Sequence, residues 1–231
     1  MNYRYTAVTT LTLLFVGIAV SCDSPTENNN IPTVIEWSDT NSVVCYGTDF
    51  TYGTGADSDS TYPAFLQDRL QIEVVNFGTP GALTEYGVTH MDSVLTFNPV
   101  LVLLEFGATE YFLEYEPAEV RSDLRSVIDF FQVHGVHVAL LSFAHPDMSS
   151  LYPNDPSYQD DIALGIRYSE MYGDIASQYP IPFINYMFKD VWGDPVLMAD
   201  SIHPNGKGYQ QVEYNITEVL FDIFRENGML K

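Results

Sequence analysis

Hydrophobic and polar positions alternate along the chain in two patterns, which predict strands and helices in turn. Short hydrophobic runs predict five strands, at residues 42–46, 72–76, 100–104, 136–142 and 182–185. Between several of these runs, hydrophobic residues recur at the spacing of an amphipathic helix. This spacing predicts helices at residues 62–70, 117–134, 162–179 and 205–225. The chain therefore alternates strand and helix, which is typical of α/β proteins.

The run VLVLL at residues 100–104 has no polar position, as expected of a strand that is buried on both faces. Parallel strands need crossover connections, which the intervening helices supply. The predicted fold class is therefore α/β, a three-layer α/β/α sandwich with a five-stranded parallel sheet. Ligands of such sheets bind beyond the carboxyl ends of the strands. The turns at residues 47–49, 76–78 and 107–110 follow strand ends, so we expect them to meet at one crevice.

The N-terminus has the pattern of an export signal. Arg4 precedes an apolar run at residues 11–20, which is too short for a typical transmembrane helix. The sequence AVSC at residues 19–22 resembles the lipobox at which bacterial lipoproteins are cleaved and acylated on cysteine. We therefore predict lipidation of Cys22. The alternatives are an uncleaved anchor and an ordinary signal peptide cut near Cys22.

This signal divides the chain into three predicted parts. Residues 1–22 are a lipoprotein-type signal peptide with its lipobox, residues 23–41 a polar tether, and residues 42–231 the globular domain. Lipidated Cys22 would hold the exported protein on a membrane of the bacterial cell envelope. Cys45 would then have no partner, so no disulfide framework is expected.

The composition is strongly acidic and excludes one class of function. Nine Lys and Arg residues stand against 31 Asp and Glu residues, so the formal net charge is -22. Such a surface repels the phosphate backbone of nucleic acids. We therefore expect no nucleic-acid partner, and we expect a monomer that meets the membrane through its lipid anchor.

One short motif near the C-terminus carries candidate chemistry. Asp200 lies three positions before His203, directly ahead of the last predicted helix. An aspartate at this spacing can bind one imidazole nitrogen and leave the other facing the crevice, as in nucleophilic hydrolases. Asp-His pairs at helix starts are also frequent as simple caps. The motif by itself leaves both interpretations open.

Four motifs in order resemble those of the SGNH, or GDSL, hydrolases, most closely the branch of secreted arylesterases, thioesterases and lysophospholipases. The first is GTDFTYG at residues 47–53, and the second is VNFGTPG at residues 75–81. The third runs from PVLV to GATE within residues 99–110, and the fourth is DSIHPNGKGY at residues 200–209. The resemblance implies a five-stranded parallel sheet between helices and hydrolysis of ester bonds without a cofactor.

The resemblance also assigns roles to single positions. Asp200 and His203 match the aspartate and histidine of the catalytic triad. Gly78 and Thr109 stand at the positions of two oxyanion-hole residues, where Thr109 replaces the family's asparagine. Asp49 stands where the family has its nucleophilic serine.

The aspartate at position 49 changes the expected function. Loss of a triad serine costs about 10⁶-fold in turnover, and loss of one oxyanion donor costs about 10²- to 10³-fold. A carboxylate cannot replace the serine on an ester, because its attack would form an anhydride, which is higher in energy than the ester. Ordinary esterase activity is therefore not expected, and whether the protein is an enzyme stays open at this point.

Four alternatives follow. The protein is a pseudoenzyme that binds a glycan, a lipid or a protein partner in the crevice. Alternatively, it is a hydrolase in which Asp49 acts with His203, either as a nucleophile at saturated carbon or as a general base on water. In the third, Asp49, Glu110, Asp200 and His203 hold a divalent metal ion. In the fourth, the domain is only an anchored structural module. The prediction itself includes no metal, and the expected ligand is a small ester or an acyl or glycan group.

Overall fold

A parallel sheet forms the centre of the described part of the chain, which comprises residues 34–145 and 159–231 of the computed structural model. Its five strands are β1 (Ser42–Gly47), β2 (Glu73–Gly78), β3 (Pro99–Glu105), β4 (His137–Leu141) and β5 (Phe183–Ile184). They lie side by side in the order β2-β1-β3-β4-β5, and every neighbouring pair is parallel. The predicted five-stranded parallel sheet is therefore confirmed.

Helices flank this sheet. Those of the described residues are α1 (Asp49–Tyr52), α2 (Tyr62–Arg69), α3 (Thr84–Thr89), α4 (Met91–Leu95), α5 (Ala108–Phe112), α6 (Pro117–Val133), α7 (Gln159–Gln178) and α8 (Gly206–Glu226). The longer helices α2, α6, α7 and α8 lie close to their predicted positions. The short helices α1, α3, α4 and α5 were not predicted, because four to six residues are too few to show a hydrophobic period.

The core lies on both faces of the interior strands β1 and β3. Every residue of β1 and β3 is buried, as predicted for the run at residues 100–104, whereas the edge strand β2 is partly exposed. The helix α8 packs its apolar stripe inward and begins at a side-chain cap. There the Asn205 side chain accepts hydrogen bonds from the backbone N–H groups of Lys207 and Gly208, at 3.0 and 3.2 Å.

The packed domain begins earlier than the predicted boundary at residue 42. Ile35 is buried, and its backbone N–H donates to the Asn227 side chain at 2.6 Å. The Trp37 indole N–H donates to the Asn227 carbonyl at 2.7 Å. Part of the predicted tether therefore contacts the end of α8. The predicted signal peptide and Cys22 lie outside the described residues.

No helix in the described ranges is both long and apolar enough to cross a membrane. Cys45 is a free thiol, buried in β1.

The strand register explains why distant motifs meet. Gly47, the last residue of β1, lies beside Gly78 at the end of β2 and beside Glu105 at the end of β3. The turns that follow these three strands therefore leave the sheet at the same edge.

Candidate active site

The turn after β1 is held in place by a close approach of backbone to neighbouring atoms. A Cβ atom on Gly47 would lie 2.3 Å from both the Glu105 carbonyl oxygen and Thr51 Oγ1, so any larger residue would displace the turn. This packing allows α1 to start directly at Asp49, which is partly exposed. As the first helical residue, Asp49 has a backbone N–H with no partner inside the helix.

The Asp49 side chain binds a backbone amide of the neighbouring turn. Its Oδ2 accepts a hydrogen bond from the Gly81 N–H at 2.9 Å. The described residues contain no hydrogen bond or ion pair between Asp49 and His203. Asp49 is thus held by the loop after β2 and not by the imidazole.

The pair Asp200 and His203 has the geometry of an orienting carboxylate and its imidazole. Asp200 Oδ2 lies 2.9 Å from His203 Nδ1, and Asp200 Oδ1 accepts the backbone N–H groups of Ile202 and His203, both at 2.7 Å. Partial desolvation raises the pKa of Asp200, but the bonds from His203 and Ile202 outweigh it and lower that pKa to about 2. The carboxylate is therefore ionised at neutral pH, and the imidazole Nε2 is left for a ligand.

His203 lies beside the turn that carries Asp49. The Phe50 ring is 6.0 Å from the imidazole centroid, and the Cα of Gly55 packs so closely that an added Cβ would lie 3.0 Å from His203 Cβ. The structure therefore brings the first and last motifs together, as their positions at one sheet edge predict.

Gly78, predicted at an oxyanion position, has its amide turned to another acceptor. Its N–H donates to Asn76 Oδ1 at 3.0 Å, and a Cβ on Gly78 would lie 2.1 Å from the Tyr52 nitrogen. Gly78 thus allows α1 to pack against β2, whereas the amide beside Asp49 belongs to Gly81. The motif contains both glycines, and its spacing alone does not show which amide faces the crevice.

Thr109, the other predicted oxyanion residue, lies in the first turn of α5. Its Oγ1 is buried and has no hydrogen-bond partner among the described residues. No described residue uses the proton of this hydroxyl, but its oxygen is not exposed on the surface of the structure.

A buried carboxylate under the turn was missed by the sequence analysis. Glu105 is 1% exposed and accepts hydrogen bonds from the Thr48 N–H at 2.9 Å and from the hydroxyls of Thr48 and Thr51 at 3.0 Å. Burial raises its pKa to about 7, and the charge of Asp49 adds a smaller contribution in the same direction. The sequence feature that could have indicated this buried carboxylate is the single glutamate at the end of the hydrophobic run VLVLLE.

An aromatic cluster packs beside His203, and most of it belongs to the core. Phe50 contacts Phe188 with ring centroids 4.6 Å apart, and Trp192 lies 5.2 Å from Phe188 and 6.1 Å from Phe112. Phe50 and Phe188 are each 1% exposed, and Tyr111 is likewise buried, against Phe143. Phe112 and Trp192 keep exposed surface.

The metal alternative finds no support in the arrangement of these groups. In residues 34–145 and 159–231, no three or more His, Cys, Asp or Glu side chains are placed to hold a metal ion. Glu110 instead binds Thr84, through both the backbone N–H and the hydroxyl.

Two known proteins are similar to this chain in sequence. Esterase TesA of Pseudomonas aeruginosa is 27% identical over 166 residues, which are 68% of this chain and 77% of that protein. An arylesterase of Vibrio mimicus is 26% identical over 157 residues, 63% of this chain and 71% of that protein.

Two solved structures are similar to this one. A crystal structure of TesA has a TM-score of 0.69 at 23% identity and covers 79% of this chain and 99% of that one. The psychrotrophic esterase EstA of Pseudoalteromonas sp. has a TM-score of 0.65 at 18% identity, over 80% of this chain and 99% of that one. At these identities the structures establish the shared fold.

A family model decides the assignment. The model of the GDSL-like Lipase/Acylhydrolase family matches residues 45–211, well over half of the chain and the whole stretch from Asp49 to His203. This chain therefore belongs to the GDSL-like Lipase/Acylhydrolase family.

Proposed function

We propose that this protein binds a ligand in the crevice of Asp49 and His203 and does not hydrolyse carboxylic esters by a serine mechanism. The ligand is an ester or acyl group, carried on a small molecule or a glycan. The family assignment supports this ligand class.

The hydrogen bond from Gly81 to Asp49 carries the proposal. A backbone N–H at such a turn is the kind of donor that stabilises the oxyanion of an acyl-transfer intermediate. Here the Asp49 carboxylate already accepts it, at 2.9 Å. A second negative charge about 4 Å away would be repelled by about 4 kcal/mol at an effective dielectric constant of 20. The resident carboxylate therefore disfavours the intermediate that ester hydrolysis requires.

The use of Asp49 as a catalytic group has less support. Activation through His203 requires the imidazole and the reacting group to come within hydrogen-bond reach. Asp49 and His203 share no such contact in the described residues. Binding without turnover accounts for the arrangement as it stands.

Ester hydrolysis by the wild-type protein tests this proposal. The full chain and its His203→Ala variant are expected to hydrolyse p-nitrophenyl acetate, butyrate and octanoate at the same rate, close to that of buffer. The measurement is the initial rate of p-nitrophenol release at equal protein concentration. Wild-type turnover that His203→Ala abolishes would contradict the proposal, because it would show a working general base.

We further propose that Cys22 is lipidated and holds the domain on the cell envelope. The support is the order of Arg4, the apolar run and the small residues before Cys22. In a bacterial host fed an alkyne fatty acid, the full chain is expected to become labelled, and Cys22→Ser is expected to lose the label. Cys45→Ser is the matched control, since Cys45 is a buried thiol of the domain. Label that persists in Cys22→Ser would disprove the anchor.

A further inference from the structure

A small crevice away from Asp49 and His203 is lined by acidic side chains. It lies where α3, α5 and the first turns of α6 meet, and its volume is about 70 Å³. This volume is several times the 10–15 Å³ or so that one water molecule needs. The acidic residues of its lining are Glu85, Glu110, Glu116, Glu119 and Asp123.

One carboxylate oxygen in this crevice is buried without a partner. Glu110 is 4% exposed, and its Oε1 accepts the Thr84 N–H at 2.5 Å and the Thr84 hydroxyl at 2.7 Å. Its Oε2 is buried and has no hydrogen-bond partner in the described residues. An unsatisfied buried polar group costs about 1–3 kcal/mol, and more when it is charged. The site therefore lacks a donor.

The charge around this oxygen is also uncompensated. Arg167 pairs with Glu116 at 2.9 Å, and no ion pair of the described residues involves the other four carboxylates. The single hydroxyl proton of Thr84 faces two of them, Glu110 at 2.7 Å and Asp123 at 3.0 Å. A bound cation with N–H donors would supply both the missing charge and the missing hydrogen bond.

The arrangement favours an ammonium group over a metal ion. Calcium needs six to eight converging oxygens, whereas no three acidic side chains of the described residues converge to hold a metal. An alkylammonium is a compact charge with three donors, and a guanidinium is a broader planar group. The narrow crevice suits the compact group. At its mouth, the half-exposed ring of Tyr115 offers an aromatic face to the cation.

We propose that the crevice at Glu110 binds an alkylammonium group, presented either by a free amine or by a lysine side chain. The ammonium donates to Glu110 Oε2, and its methylenes pass Tyr115 toward solvent. This site is separate from the crevice of Asp49 and His203 and does not depend on what that crevice does.

Calorimetric titration of the full chain at fixed salt tests the proposal. Butylamine, spermidine and N-acetyl-lysine methylamide are expected to bind at least tenfold more tightly than tetramethylammonium, which has the charge but no N–H donor. Equal binding of butylamine and the lysine amide would show a site open to side chains. Binding of the free amines alone would assign it to small polyamines.

Three variants locate the binding. Glu110→Gln keeps the size of the side chain. It is expected to weaken the binding of butylamine at least tenfold, because one charge-assisted hydrogen bond is lost. Glu119→Gln, at the exposed rim, is expected to weaken it several-fold without affecting the core. Glu218→Gln removes the same charge from a distant exposed position and is expected to have no effect.

Three outcomes would overturn the proposal. In the first, butylamine binds no better than tetramethylammonium. In the second, Glu110→Gln and Glu119→Gln both bind it as the wild type does. In the third, calcium binds and the amines do not.

Discussion

Replacement of Asp49 by serine is expected to raise ester turnover by up to about 10⁶-fold above the wild-type rate. Loss of a triad serine costs about 10⁶-fold in the best-studied case, and one missing oxyanion donor costs up to about 10³-fold. The variant regains the first factor, whereas the second is missing from wild type and variant alike, because Thr109 stands where the family has asparagine. The measurement is the rate of p-nitrophenyl butyrate hydrolysis by the full-length Asp49→Ser chain.

The structural reason is that the rest of the machinery is present. His203 is oriented by Asp200 at 2.9 Å, and the Phe50 ring next to position 49 contacts the imidazole. Serine would also release the Gly81 N–H, which the Asp49 carboxylate now accepts. The released amide could then stabilise an oxyanion.

Two control variants separate a new nucleophile from the removal of a charge. Asp49→Ala also releases the Gly81 amide but adds no hydroxyl, so it is expected to stay at the wild-type rate. Adding His203→Ala to Asp49→Ser is expected to abolish the gain. If Asp49→Ser is no faster than Asp49→Ala while both are folded, the assignment of position 49 as the nucleophile position fails.

Replacement of Glu105 by glutamine is expected to make stability less dependent on pH. As the pH rises from about 5 to about 8, the free energy of unfolding of Glu105→Gln is expected to increase by about 3 kcal/mol relative to that of the wild type. Burial raises the folded-state pKa of Glu105 from 4.5 to about 7. Below pH 4.5 Glu105 is protonated in both the folded and the unfolded state, so its ionisation does not change the free energy of unfolding. Between these values the unfolded chain loses its proton first, so the wild type loses stability as pH rises toward 7.

Chemical denaturation at several pH values measures this effect. Glutamine cannot ionise, so the Glu105→Gln curve lacks the decline that Glu105 causes in the wild type. Glu218→Gln removes one exposed carboxylate, and its curve is expected to run parallel to that of the wild type. If the free energies of unfolding of wild type and Glu105→Gln differ by the same amount across this pH range, the Glu105 carboxyl is not held protonated in the folded state.

The longer elements and their parallel arrangement could be predicted because their evidence is local. The run at residues 100–104 has no polar residue, and α6 repeats apolar residues such as Val120, Leu124 and Val127 at helical spacing. The short helices α1 and α5 could not be predicted this way. They form because the turns after β1 and β3 are shaped by contacts with neighbouring strands.

The candidate site also combines features that follow from local sequence with features that depend on contacts between distant segments. Asp200 and His203 are three residues apart, so their hydrogen bond follows from one local turn. The contact of Asp49 with Gly81 joins loops 32 residues apart. The motif spacing predicts Gly78, and not Gly81, as the glycine of the oxyanion hole. The N-terminal boundary was also set too late, because the burial of Ile35 depends on Asn227 at the other end of the chain.

The sequence by itself determined the alternation of strands and helices, the order of the family's motifs, and the aspartate at the position of the nucleophile. These features depend on residue type and on spacing along the chain. Only the tertiary structure decided that Gly81 binds Asp49, that Glu105 is buried beneath the turn, and that Glu110 has an oxygen without a partner. Hydrogen bonding and burial depend on which distant segments meet, and the packing of the sheet and helices brings those segments together.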